Sequence, residues 1–209
     1  MARHDYSSSA YTTIAAPSRG RLTVKLSRFI AFAFPVGSPE EARQLIAGVA
    51  EEYHDARHCC WAYLIGAAAD ISASSDNGEP SGTAGRPILG QIRSEGLTNV
   101  AVAVVRYFGG IKLGPSGLIA AYREATALAL AEAERVERCE ETTVSLTFPY
   151  QAMNDVMKIV KADPDARVAA QDFDNTCRLD LSIRADRAQA LADRLAAVDG
   201  TSLIPTEGA

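Results

Sequence analysis

Hydrophobic and polar positions alternate from Thr142 to Phe148, with Val144, Leu146 and Phe148 on one side and Thr143, Ser145 and Thr147 on the other. This period of two predicts a half-buried strand, which Pro149 stops. Met153, Val156, Met157 and Val160 then recur at helical spacing, and Asp163-Pro164-Asp165 breaks that helix before an extended stretch over Arg167–Phe173. Asp174-Asn175 supplies a turn. Cys177, Leu179, Leu181 and Ile183 alternate again, Ala188, Leu191, Ala192 and Leu195 return to helical spacing, and Gly200 precedes a short last strand through Ile204. The order is βαββαβ. It is that of the ferredoxin-like split βαβ unit, whose two helices cover one face of a four-stranded antiparallel sheet in roughly 65 residues. Residues 141–209 are therefore expected to fold as a separate C-terminal domain.

The first two thirds of the chain mix both periods. Lys25–Phe34 reads as a strand, and Ser38-Pro39-Glu40-Glu41 opens a helix with a Ser cap, a first-turn Pro and acids at the positive helix end, running to about Tyr53. Cys60–Gly66 and Val100–Phe108 are apolar runs of strand length, and Pro115 opens an Ala-rich helix to about Arg138. Ser72–Gly85 holds four Ser, three Gly and one Pro, and reads as a functional loop rather than a routine connection. The expected architecture is an α/β protein of the α+β kind. A flexible tail over 1–18 precedes a mixed-sheet domain over 19–138 and the ferredoxin-like domain over 141–209.

Charge changes this picture locally. The net charge is -5, which argues against a whole-surface grip on nucleic acid. Residues 141–209 carry 11 acidic and 7 basic side chains, however, so the rest is close to neutral and contains two basic patches. Arg19, Arg21, Lys25 and Arg28 form one, and Arg86, Arg93, Arg106 and Lys112, opposed only by Glu95, form the other. The longest apolar runs fall far short of the ~18 residues of a membrane span, and Met1–Thr13 lacks an apolar signal core, so a cytoplasmic address without membrane attachment is expected. Four cysteines without C-x-x-C spacing read as reduced thiols.

Two Gly-rich segments carry the candidate chemistry. In the first, the strand Val100–Val105 runs through Arg106, Tyr107, Phe108, Gly109 and Gly110 to Lys112 and Gly114, before Pro115 opens a helix. Unpaired backbone N–H groups at a helix start, flanked by Arg106 and Lys112, suit an anion, and Tyr107 or Phe108 would stack on an unpaired base. The segment matches neither G-x-x-x-x-G-K-[ST] nor G-x-G-x-x-G, which argues against nucleotide binding by those routes. The bland alternative is that these glycines only meet turn geometry.

The second segment gathers Asp76, Gly78, Glu79, Ser81, Thr83 and Arg86 in one flexible loop, read as a mobile recognition loop. Its Ser is misplaced for a G-x-S-x-G elbow. His54 and His58 have zincin-like spacing, but a strand-like run begins at Cys60, so no metal site and no cofactor are expected.

Lys25-Leu-Ser-Arg-Phe-Ile, His54 through Tyr63, Asp76-Asn-Gly-Glu-Pro-Ser-Gly-Thr-Ala-Gly-Arg-Pro and Arg106-Tyr-Phe-Gly-Gly-Ile-Lys-Leu-Gly together resemble the YigZ branch of the IMPACT family. The resemblance covers residues 20–135 and extends to the βαββαβ tail, which is similar to the smaller C-terminal domain of bacterial members. It implies an N-terminal fold like the second domain of a small-subunit ribosomal protein and a C-terminal domain like one from translation factor G. Eukaryotic relatives are linked to translational control through binding a large activator protein of a stress kinase. Where the family reads Thr-Gly-Gly-Leu-Val-Arg-Ala-Tyr after Lys-Leu-Gly, this chain has Pro115-Ser-Gly-Leu-Ile-Ala-Ala-Tyr122, which removes an Arg at Ala120 and a backbone donor at Pro115.

The residues and the resemblance together lead to a translation-linked, non-catalytic protein that binds RNA or the ribosome through the first segment, with the second closing over the ligand. Two alternatives stay open. One is a small-molecule enzyme with Asp76, Glu79 and His58 as acid–base groups, which requires them to converge in one cleft. The other is a module for a protein partner.

Overall fold

The computed structural model describes residues 10–173 and 176–205, and Asp174-Asn175 lies outside them. The chain separates after Arg138 into two compact units.

The N-terminal unit is built on a five-stranded sheet in the order β2-β3-β6-β4-β5, formed by β2 (Ser18–Val24), β3 (Ser27–Pro35), β4 (His58–Ile65), β5 (Ile71–Ser75) and β6 (Val100–Tyr107). All neighbouring strands are antiparallel. The central strand β6 explains its own sequence. Val100, Val102 and Val104 face one apolar cluster, with α2 (Gly85–Ser94) and α3 (Gly114–Ala131), while Ala101, Ala103 and Val105 face a second, with α1 (Pro39–Glu52). A strand covered by helices on both faces has no polar side to alternate with, so it reads as a continuous apolar run. Ser38 caps α1 by accepting a hydrogen bond from the Glu41 N–H at 3.2 Å.

Lys25 belongs to a two-residue turn rather than to a strand. Val24 pairs with Ser27, and Lys25 and Leu26 both adopt positive φ, 44° and 63°. Positive φ at both central residues is the demand of a hairpin turn that follows the strand twist. Ala10–Ile14, expected in the tail, form β1, which pairs with β7 (Arg135–Cys139) in a separate two-stranded sheet. The Ala-rich helix accordingly ends at Ala131 rather than near Arg138, because residues 135–139 are recruited into that pairing.

The C-terminal unit comprises β8 (Glu141–Pro149), α4 (Met153–Ala162), β9 (Arg167–Phe173), β10 (Thr176–Arg184), α5 (Ala185–Ala196) and β11 (Ser202–Ile204). Its sheet order is β11-β8-β10-β9, antiparallel throughout. This is the order that two interleaved βαβ units produce. Leu146, Phe148, Leu179, Leu181 and Ile183 pack against Val156, Val160, Leu191 and Leu195 in one core, so both helices lie on the face that the alternating pattern marks as apolar. Among the described residues, no helix is long and apolar enough to cross a membrane.

Candidate functional site

The site lies where the end of β6, the start of β4 and the start of α3 meet the loop that follows β5. Ser72–Ser75, read as loop, belong to β5 and pair with Trp61–Leu64 of β4. The loop after them is not open chain but is organised around Asp76. One Asp76 carboxylate oxygen accepts from the Ala84 and Gly85 N–H groups at 2.9 and 2.8 Å, and the other from Gly82 N–H at 2.7 Å. Burial alone would raise the Asp76 carboxyl, but these three donors and the nearby Arg86 charge hold it below its ordinary value. Asp76 is thus committed to the backbone. Gly85 fits because a Cβ there would lie 2.8 Å from the Ser75 backbone nitrogen.

This clamp has a testable pH signature. Asp76→Asn keeps one oxygen acceptor but turns an amide N–H₂ toward a backbone donor, and at neutral pH should cost about 2–3 kcal/mol. The folded carboxyl titrates below the unfolded value, so its contribution is complete above about pH 4 and is lost as pH falls through the folded value. Urea titrations should therefore show a gap between native protein and variant that is full at pH 7 and narrows in acid. A gap constant from pH 7 to pH 3 would contradict the clamp.

With Asp76 occupied, Glu79 points inward, its side chain only 3% exposed. Its Oε1 accepts from Arg106 Nη1 at 2.6 Å and from the Tyr122 hydroxyl at 2.9 Å, and His58 Nε2 lies 4.0 Å away. Arg106 comes from β6, directly opposite His58 of β4, and its guanidinium lies 5.5 Å from the Phe29 ring centroid and 5.7 Å from that of Phe108. Arg106 is 6% exposed, and its Nε has no hydrogen-bond partner among the described residues. Burial pushes the Tyr122 phenol far above its ordinary value, so it remains a donor to Glu79. The Cys60 thiol, 2.8 Å from the Asp76 carbonyl oxygen and 3.3 Å from the Tyr122 hydroxyl, is pushed up to about 12 by burial, and Cys59 to about 11. Neither is a nucleophile at neutral pH.

Above this buried pair opens a cavity of about 460 Å³. Glu79, Pro80, Arg106 and His58 line it from one side, Lys112, Leu113, Gly114 and Pro115 at the start of α3 from the other, and Arg57, Phe108 and Leu118 complete it. Arg57 and Lys112 are exposed. Against the single carboxylate of Glu79 stand Arg57, Arg106, Lys112 and the positive end of an 18-residue helix.

The residues expected from the sequence divide accordingly. Arg106, Phe108, Lys112, Gly114, Glu79 and His58 meet in the cavity. Tyr107 points to the opposite side of the strand, donating to Asp55 Oδ1 at 2.7 Å with the Arg28 guanidinium 4.8 Å from its ring centroid. Gly109 packs on the β2–β3 hairpin, and Gly110 takes φ +87° with open space around it. Gly78, at φ +85°, lets the loop pass the His58 ring, and the Thr83 hydroxyl donates to the Pro80 carbonyl at 2.6 Å. Ser81 and Arg86 are exposed and do not line the cavity. His54 lies past the end of α1 with Nδ1 3.2 Å from the Glu51 carbonyl, so the two histidines do not share a helix. Arg57, Tyr122 and Cys60 were not singled out from the sequence. Arg57 and Cys60, inside the His54–Tyr63 segment, and Tyr122, which ends the segment opened by Pro115, carried a signal only as members of those family-like segments.

The Impact N-terminal domain matches residues 25–130. The chain belongs to the IMPACT family. It is 33% identical to an IMPACT family member of Haemophilus influenzae over 82% of this chain and 84% of that one. To the IMPACT family member YigZ of Escherichia coli it is 32% identical, over 87% and 90%. The similarity to the family member YvyE of Bacillus subtilis, 38% identical, takes in 62% of this chain and 59% of that protein's length. A crystal structure described as that of a hypothetical protein superposes with a TM-score of 0.73 at 28% identity, covering 96% of this chain and 98% of its own. The IMPACT domain thus contains the whole cavity, from Arg57 to Leu118.

Proposed function

We propose that this IMPACT-family protein is a cytoplasmic, translation-linked binding protein whose N-terminal domain takes a phosphate of single-stranded RNA into the cavity at the start of α3. The observation that carries this reading is the union of Lys112, Arg57 and the α3 start with Arg106, a buried cation whose Nε has no partner among the described residues. Anions bind where backbone N–H groups, a helix dipole and full charges converge. Phe108, 48% exposed, supplies a ring on which a base stacks. The link to translation and the ribosome comes from the family resemblance, and the same resemblance makes a protein partner the companion hypothesis.

The test is binding of the full chain to short single-stranded RNA across a salt series. Affinity should fall as salt rises, and Lys112→Ala, an exposed change that leaves the fold alone, should weaken binding severalfold and flatten the salt slope by about one. Absent or salt-insensitive binding would count against the reading. The approach of His58 to Glu79 favours acid–base chemistry on a small molecule as the second reading. Asp76 takes no part in it.

A further inference from the structure

The cavity floor carries a hydrogen-bond acceptor that the protein's own donors leave unused. Among the described residues, every contact of the Glu79 carboxylate converges on Oε1, so Oε2 is free to accept. His58 Nδ1 lies 3.0 Å from the Asn77 carbonyl oxygen. A carbonyl only accepts, so the ring carries a proton on Nδ1, and Nε2 is its atom nearest Glu79. That approach, 4.0 Å, is to Oε1, which already accepts from Arg106 and Tyr122, and it leaves Oε2 without a donor among the described residues. Oε2 is not among the side-chain atoms fully withdrawn from water without a partner, so a donor brought by a ligand can reach it. The rim is the reverse: Lys112, Arg57 and the start of α3 offer positive charge and donors only.

A matching ligand brings a hydroxyl donor to the floor and an anion to the rim, within a volume suited to one small group. A ribose phosphate has both. We infer that Glu79, beside His58, reads the ribose 2′-hydroxyl, so that this site selects RNA over DNA. The inference rests on the phosphate-binding reading above and deepens it. The 2′-hydroxyl is the group by which a protein distinguishes the two nucleic acids at a single site, and a site built to accept a hydrogen bond from a hydroxyl rejects the analogue that lacks it.

The experiment compares binding of the full chain to one short sequence as RNA, as DNA and as 2′-O-methyl RNA, at one low salt concentration. RNA should bind about tenfold or more tighter than either analogue, since DNA lacks the hydroxyl and methylation removes its proton. In Glu79→Gln the RNA advantage should shrink while DNA binding holds or rises, because a negative charge leaves the cavity. A purely structural role for Glu79 would weaken both alike. AMP and dAMP distinguish the source of the ribose phosphate. RNA binding tighter than AMP places a strand in the site, equal affinity places a free nucleotide there, and in both cases AMP should outbind dAMP. Equal affinity for RNA, DNA and methylated RNA overturns the inference while leaving the phosphate site standing, as does a folded Glu79→Gln protein that keeps the full preference. Should that variant not fold, the methylated strand tests the same hydrogen bond on the unaltered protein. Failure of every probe to bind removes the phosphate reading and this inference together.

Discussion

Arg106→Met should destabilise the N-terminal unit by about 3–5 kcal/mol, because it strands the Glu79 carboxylate in a buried position without its cation. The pair is tight, with Nη1 to Oε1 at 2.6 Å, and both side chains are almost wholly buried, 7% and 3% exposed. Tyr122 would remain as a neutral donor to Glu79, which is why the loss should be large rather than total. The same reasoning predicts partial rescue. In Arg106→Met with Glu79→Gln, no uncompensated charge remains, so the double variant should be more stable than Arg106→Met alone, and the two changes should be strongly non-additive. The chain's one tryptophan, Trp61, lies on β4 next to β6, so its fluorescence during urea unfolding reports this unit. A cost below about 1 kcal/mol for Arg106→Met would mean that water or another group reaches Glu79.

Gly109→Ala should be comparably damaging for a different reason, by roughly 3 kcal/mol or more. A Cβ at Gly109 would be driven into the backbone of Leu26 and Ser27, which cannot rotate away as a side chain would. Those residues form the β2–β3 hairpin, whose turn already holds Lys25 and Leu26 at positive φ. The variant must push the hairpin away from the end of β6, so binding at the cavity should be lost along with stability. Gly90→Ala is the control. Gly90 lies within α2 with nothing within 4 Å of the added atom, and alanine there should be neutral or stabilising by about 0.5–1 kcal/mol. If both variants unfolded at the same urea concentration as the native chain, the close approach of Gly109 to the hairpin would be wrong.

Both predictions concern contacts that link distant parts of the chain, and this separates what was legible in the sequence from what was not. The C-terminal elements were readable because each strand has one buried and one solvated face, so Val144, Leu146 and Phe148, and Cys177, Leu179, Leu181 and Ile183, alternate with polar residues. The Ser-capped start of α1 was readable because capping is local chemistry. The short β5 was missed because Ile71–Ser75 lies at a sheet edge and three of its five residues are serine, so it is a strand only by pairing with β4. The helix α2 was missed because Gly85, Pro87 and Gly90 mask its period. The end of α3 was misplaced because Arg135–Cys139 looks as helical as what precedes it until β1 pairs with it.

The site divides in the same way. Its residue types were determined locally: a cationic Gly-rich turn before a helix, and an acidic Gly-rich loop, are legible in any order of reading. Which carboxylate does what was not, because a sequence presents Asp76 and Glu79 as near equals in one loop. Only the folded chain gives Asp76 to the backbone donors of its own loop and Glu79 to Arg106, 27 residues away, and to Tyr122, 43 residues away. Only strand direction turns Arg106 and Phe108 toward the cavity and Tyr107 away from it. By itself the sequence determined the kinds of groups available and the elements that bear them, since propensity, capping and periodicity act over a few residues. Tertiary structure decided which groups are withdrawn from water together, because burial and pairing are properties of the packed sheet and helices rather than of any one segment.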